Sequence, residues 1–222
     1  TKSPIYNLYG MSRSMYKINT FEDYDKHIQD GLFWQKYFPG AQKNIDIVYN
    51  KGQILFYSAL KSIPDKQGSF LLHTTFKNYE LSNKIICWLN DYLGEYRGCI
   101  NLEVIDDNII EAHLRLNGDF NLKNKNFCLK LSEFYEGSNE KFKYSVPELY
   151  MFPIFIERDK VESFNRKKDE IKKILDTSEL VSKYYFDNME SMYQSHLLRA
   201  AMIESYYSDC IKLKYYINKL IV

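Results

Sequence analysis

The chain has 222 residues, 45% of them hydrophobic, which fills one large core or one domain with an appendage. Its 30 Lys and Arg residues stand against 29 Asp and Glu, a formal charge of +1, so no overall field draws in a polyanion and no nucleic-acid partner is expected. Four cysteines without CxxC or Cys/His spacing argue against structural zinc and a disulfide framework, and no apolar run approaches the ~20 residues that span a bilayer, so the expectation is a soluble, cytoplasmic protein without a membrane partner.

Residues 20–31 predict a short connecting helix: Thr20 is a suitable N-cap with Asp23 three positions on, and Gly31 is a stop. Residues 32–38 are apolar and aromatic, broken by Gln35 and Lys36, and end at the Pro39-Gly40 turn. Residues 45–49 and 53–60 read as strands joined by a three-residue loop, Asn50-Lys51-Gly52, which completes a meander. Between 79 and 93, Leu81, Ile85, Trp88, Leu89, Tyr92 and Leu93 recur at spacings of three and four and predict an amphipathic helix ending at Gly94. Residues 121–150 show no clear period and read as loops with short strands. Beyond Pro153, residues 158–175 and 178–220 read as helical, the latter rich in tyrosine, which predicts a helical C-terminal region (151–222) suited to docking a partner or forming an oligomer.

The segment between Cys99 and Arg115 carries the most chemistry. Read as a hairpin with Asp106-Asp107-Asn108 as its turn, it pairs Glu103 with Glu111 and Asn101 with His113. Side chains alternate along a strand, so Asn101, Glu103, Glu111, His113 and Arg115 share one face, while Ile100, Leu102, Val104, Ile110, Ala112, Leu114 and Leu116 point the other way, into a core. Two opposed carboxylates repel. Compensation comes either from solvent with a raised pKa or from a bound cation that prefers hard oxygen ligands, and magnesium carrying nucleotide phosphates suits the second case best. Arg115 would add a fixed fork for phosphate.

In this order, the pieces over about residues 1–120 resemble the C-terminal two-thirds of the ATP-grasp fold of ATP-dependent carboxylate–amine ligases. That fold closes on a hairpin with an acidic residue on its first strand and Glu-x-Asn-x-Arg on its second; here the latter is Glu111-Ala-His113-Leu-Arg115. The resemblance implies an α+β fold, a partial ATP-grasp of antiparallel sheet with helices, with residues 1–31 a partial lid, 32–120 the sheet core and 121–150 loops. It implies ATP and Mg2+ as cofactors, Glu103 and Glu111 as metal ligands, and Arg115 as the residue that steadies phosphate or an acyl phosphate. His113 stands where the family has asparagine: imidazole suits softer divalent metals, so it would ligate such a metal or hydrogen-bond phosphate, or Asn101 opposite would supply the oxygen. Residues 34–40 are similar to the family's hinge, which gives Gln35, Lys36 and Phe38 to adenine. Lys2, with Ser12 and Arg13 in a loop bearing only one glycine, stands where the family contacts phosphates. The implied reaction makes an acyl phosphate from a small-molecule carboxylate and passes it to an amine; the alternatives are a degenerate ATP-grasp protein acting in assembly and a small-molecule kinase on the same fold. The family's first lid lysine and N-terminal domain have no counterpart here, which fits either a fragment of a longer protein or a reduced member.

Overall fold

A computed structural model describes residues 18–28, 36–64, 70–75, 79–117, 125–143, 148–187 and 197–221. The chain divides into two compact units. One comprises Phe38–Ile63 and His73–Leu149, the other Thr1–Tyr37, Pro64–Leu72 and Tyr150–Val222. They are called the hairpin unit and the C-terminal unit below. Both are α+β with antiparallel strands, as expected for the first unit, whereas the second departs from the helical C-terminal region that the sequence predicts. No helix among the described residues is long and apolar enough to cross a membrane.

The hairpin unit holds strands β1 (Gln42–Asn50) and β2 (Gln53–Pro64), the end of β3 (Phe70–Thr75), helix α2 (Asn83–Leu93), strands β4 (Arg97–Ile105) and β5 (Asn108–His113), and helix α3 (Lys125–Tyr135). Its strands run in the order β5-β4-β1-β2. The β1–β2 turn is tighter than expected. Lys51 and Gly52 both take positive φ, 43° and 84°, the two-residue geometry that matches strand twist, and Asn50 pairs with Gln53 as a strand residue. A register shift at Val48/Tyr49 accommodates the extra residue, Leu55.

Alternation along β1 and β4 gives the sheet two different faces. Ile45, Ile47, Tyr49, Ile100, Leu102 and Val104 bury themselves under Ile85 and Leu89 of α2, the helix that the apolar stripe predicts. Ser82 caps it, its hydroxyl accepting from the Ile85 N–H. Val48, Phe56 and Cys99 face the other way and pack on Phe127, Phe134 and Phe142. The Phe56 and Phe127 rings lie 4.9 Å apart. Helix α3 corrects the loop expectation for that stretch: Phe127, Leu131 and Phe134 fall at i, i+4 and i+7, a helical stripe masked by the Lys, Asn and Ser between them.

Gly40 sits in the predicted turn with φ +138°, where a Cβ would lie 2.9 Å from Ile105 Cγ2 and 2.8 Å from Asp106 Oδ2. Gly40→Ala is therefore expected to cost about 1–3 kcal/mol, the usual range for one strained backbone position. Urea denaturation checks this, and an unchanged midpoint with an unchanged slope would contradict it.

The C-terminal unit holds helix α1 (Phe21–His27), strand β6 (Tyr150–Glu157), helix α4 (Val161–Thr177), strands β7 (Lys183–Phe186) and β8 (Leu197–Ser205), and helix α5 (Ile211–Ile221), with strand order β6-β8-β7. Helix α1 starts with the predicted capping box of Thr20 and Asp23 but ends at His27; Gly31 lies outside the described residues. Helix α4 confirms the first C-terminal helix. The second, over 178–220, is a correction: among the described residues that span holds β7 and β8, and its one α-helix, α5, begins only at Ile211 after a short 3-10 turn at Ser208–Cys210. Leu, Ala, Met and Glu dominate β8 and favour helix, yet residues 200–205 are all buried, Ala201 and Ile203 within a core that includes Phe152, Phe164, Ile171 and Ile217. Tertiary burial overrides propensity here. Asp187 accepts from Arg199 Nε and Nη2 at 2.7 and 3.1 Å, a forked pair that ties the end of β7 to β8.

Candidate metal centre

Strands β4 and β5 join through a two-residue turn, Asp106-Asp107, with φ 47° and 61°; Asn108 belongs to β5 and pairs with Ile105 rather than sitting in the turn. A register shift at Glu103/Val104 then inserts Ile110 as an extra residue, so Val104 faces Ile109 while Glu103 faces Glu111. The shorter turn and the bulge cancel. Glu103–Glu111 and Asn101–His113 are paired as the sequence predicts.

His113 stands beside both carboxylates, its Nε2 3.5 Å from Glu111 Oε1 and 3.8 Å from Glu103 Oε1. One ligand atom from each of the three lies within 4.8 Å of the others, and among the described residues this is the only such group of three His, Cys, Asp or Glu side chains. Gln42 on β1 donates its Nε2 to Glu103 Oε2 at 2.8 Å, which fixes that carboxylate and leaves Oε1 toward His113. The three side chains are about a quarter to two-fifths exposed, open to an ion arriving from solvent.

Inward along the same face the polar groups are buried. Asp46 Oδ1 accepts from Asn101 Nδ2 at 3.0 Å and from the Asn117 backbone N–H at 2.7 Å, which draws the chain after β5 back onto β1. Burial pushes the Asp46 carboxyl up to about 6, against the opposing pull of the two hydrogen bonds and of Arg115. Asn44 Nδ2 donates to Ser62 Oγ, which is hydrogen-bonded to His73 Nδ1 at 2.8 Å. The face thus grades from the phenylalanines under α3, through a buried polar row, to the half-exposed carboxylates. Asp46, Asn44 and Gln42 went unnoticed in the sequence. The signal was Asn44-Ile45-Asp46-Ile47, polar residues alternating with isoleucines inside a strand.

Other expectations need correction. β5 ends at His113, so Arg115 lies beyond the strand row; it is exposed and its guanidinium donates to the Leu116 carbonyl at 3.0 Å. Ala112 and Leu114 are exposed because β5 is the edge of the sheet, and Leu116 packs on the Phe127 side, not under α2. Lys36 is exposed and Phe38 half-buried, in a stretch without strand. Lys2, Ser12, Arg13 and Gln35 lie outside the described residues.

No sequence family and no curated protein matches the chain. Solved structures do match. The chain is similar to N5-carboxyaminoimidazole synthase from Aspergillus clavatus, solved in complex with ADP and 5-aminoimidazole ribonucleotide, at 13% identity and TM-score 0.55, covering 93% of this chain and 58% of that one. It is similar to the ATPase subunit of phosphoribosylaminoimidazole carboxylase from Aquifex aeolicus at 12% and 0.50, covering 82% and 58%. For the L-amino acid ligase from Bacillus licheniformis the figures are 12% and 0.50, covering 82% and 53%. The chain thus spans little more than half the length of these structures. Their shared architecture and the strand pairing above lead to one assignment: this chain has the ATP-grasp fold, in a divergent and partial form.

Proposed function

We propose that this chain is the nucleotide- and metal-binding part of an ATP-dependent carboxylate–amine ligase. The observation that carries this reading is the cross-strand Glu103–Glu111 pair with His113 between its oxygens, on a fold shared with ligases. Glu103, Glu111 and His113 would hold the cation, and Gln42 would orient Glu103 from behind. When bound, the cation supplies positive charge beside the phosphate oxygens during phosphoryl transfer. Arg115, exposed two residues beyond His113 and near enough to Asp46 to oppose the rise that burial gives its carboxyl, would bind phosphate with its fork. Within the same unit, Phe38 would receive adenine, as the resemblance implies. The substrates would be a carboxylate, converted to an acyl phosphate, and an amine that captures it.

The test is to incubate the chain, within its full reading frame, with ATP, a divalent cation and panels of carboxylates and amines. ADP and phosphate released only when both substrates are present support the ligase. ADP with a stably phosphorylated acceptor indicates a kinase, and nucleotide binding without turnover indicates an assembly component. The adenine assignment predicts tighter binding of ATP than of GTP. Equal affinities by calorimetry would remove it.

A further inference from the structure

We infer that His113 makes this site selective for a first-row transition-metal dication over magnesium. The inference rests on the reading that Glu103 and Glu111 hold a cation, and concerns which cation they hold. Imidazole offers a nitrogen donor, which suits zinc, cobalt and similar ions, whereas magnesium demands an octahedron of oxygens.

The geometry points to nitrogen as a third ligand. Ligand atoms about 2.1 Å from an ion stand roughly 3.0 Å apart at right angles and roughly 3.4 Å apart at tetrahedral angles, by the metal–ligand distances for such donors. The Nε2 separations of 3.5 and 3.8 Å need to close only by tenths of an ångström to meet those values. The nitrogen nearest Oε1 of both glutamates is the same Nε2, and the register fixes why: Glu111 and His113 are two residues apart on one strand face, and Glu103 is opposite Glu111. Gln42 Nε2 donates to Glu103 Oε2 at 2.8 Å, and a hydrogen bond of this kind orients a carboxylate that ligates a metal. The competing account of the same distances is a protonated imidazole bridging two carboxylates with no ion.

The test uses the full chain without nucleotide, titrated with Co2+ and with Mg2+ by calorimetry, with visible absorption of the bound Co2+ recorded. The parent is expected to bind Co2+ at least about tenfold more tightly than Mg2+. His113→Asn should lose about tenfold or more in Co2+ affinity, shift the cobalt absorption and leave Mg2+ affinity unchanged or improved. Equal Co2+ and Mg2+ affinities in the parent, or a His113→Asn variant with unaltered cobalt affinity and spectrum, overturn the inference. In that case, Mg2+ binding that disappears in Glu103→Gln would leave the cation site standing and remove only its selectivity. If neither ion binds the parent, the inference and the cation reading both fall.

Discussion

Glu111→Gln is expected to lower divalent-cation affinity by on the order of 100-fold while slightly raising thermal stability. The magnitude follows because losing a residue that merely supports a metal ligand costs about 10- to 100-fold, and a direct ligand belongs at or beyond the top of that range. The gain in stability follows from the register. Glu103 and Glu111 face each other across β4 and β5, and relieving a directly opposed like-charge pair is worth roughly 0.2–1 kcal/mol. The variant also changes the contact with His113, but at 3.5 Å and with both groups part-exposed that contact contributes little. Opposite signs in the two readouts separate a ligand from a structural residue. Calorimetry and thermal melts on the same sample check it: unchanged affinity removes Glu111 from the site, and a joint fall in affinity and melting temperature makes it a structural residue.

The pairing at the centre of that prediction was legible because side-chain alternation is a strong signal over short strands. The pairing of Glu103 with Glu111 held even though the turn has two residues rather than three, because Ile110 restores the count as a bulge. Sequence reasoning failed where burial depends on residues distant in the chain. β8 spells a helix in local propensity, and only the strands on either side of it explain why it is extended. α3 failed for the opposite reason: its stripe of Phe127, Leu131 and Phe134 is local, but diluted by polar residues on the exposed side. The outward Ala112 and Leu114 show the same limit at the sheet edge. Alternation tells which residues share a face, and strand order decides whether that face is covered.

Asp46→Asn is expected to stabilise the protein at pH 7 and to flatten its stability between about pH 4 and pH 6. Asp46 is 2% exposed, and burial raises its carboxyl from 3.8 to about 6. A carboxyl raised on folding contributes stability that is fully present below pH 3.8 and is lost as pH rises through about 6, because the folded state must then carry a buried charge that the unfolded chain solvates freely. A shift of that size corresponds to roughly 3 kcal/mol of penalty at neutral pH. Asparagine keeps the Oδ1 acceptor for Asn101 Nδ2 and for the Asn117 N–H, so the bonds that fold the chain after β5 onto β1 survive while the charge is removed. Denaturation of parent and variant at pH 4 and pH 7 isolates the residue, since every other titrating group is common to both. A variant less stable than the parent at pH 7, or one with the same pH slope, would show that the ionised carboxylate is well compensated in the fold. Should the variant be more stable yet bind the cation or nucleotide more weakly, the buried charge has a functional reason to persist. Asp46 faces Asn101 across β1 and β4, one step inward from Glu103, and is coupled to Arg115, so its ionisation bears on the residue proposed to bind phosphate.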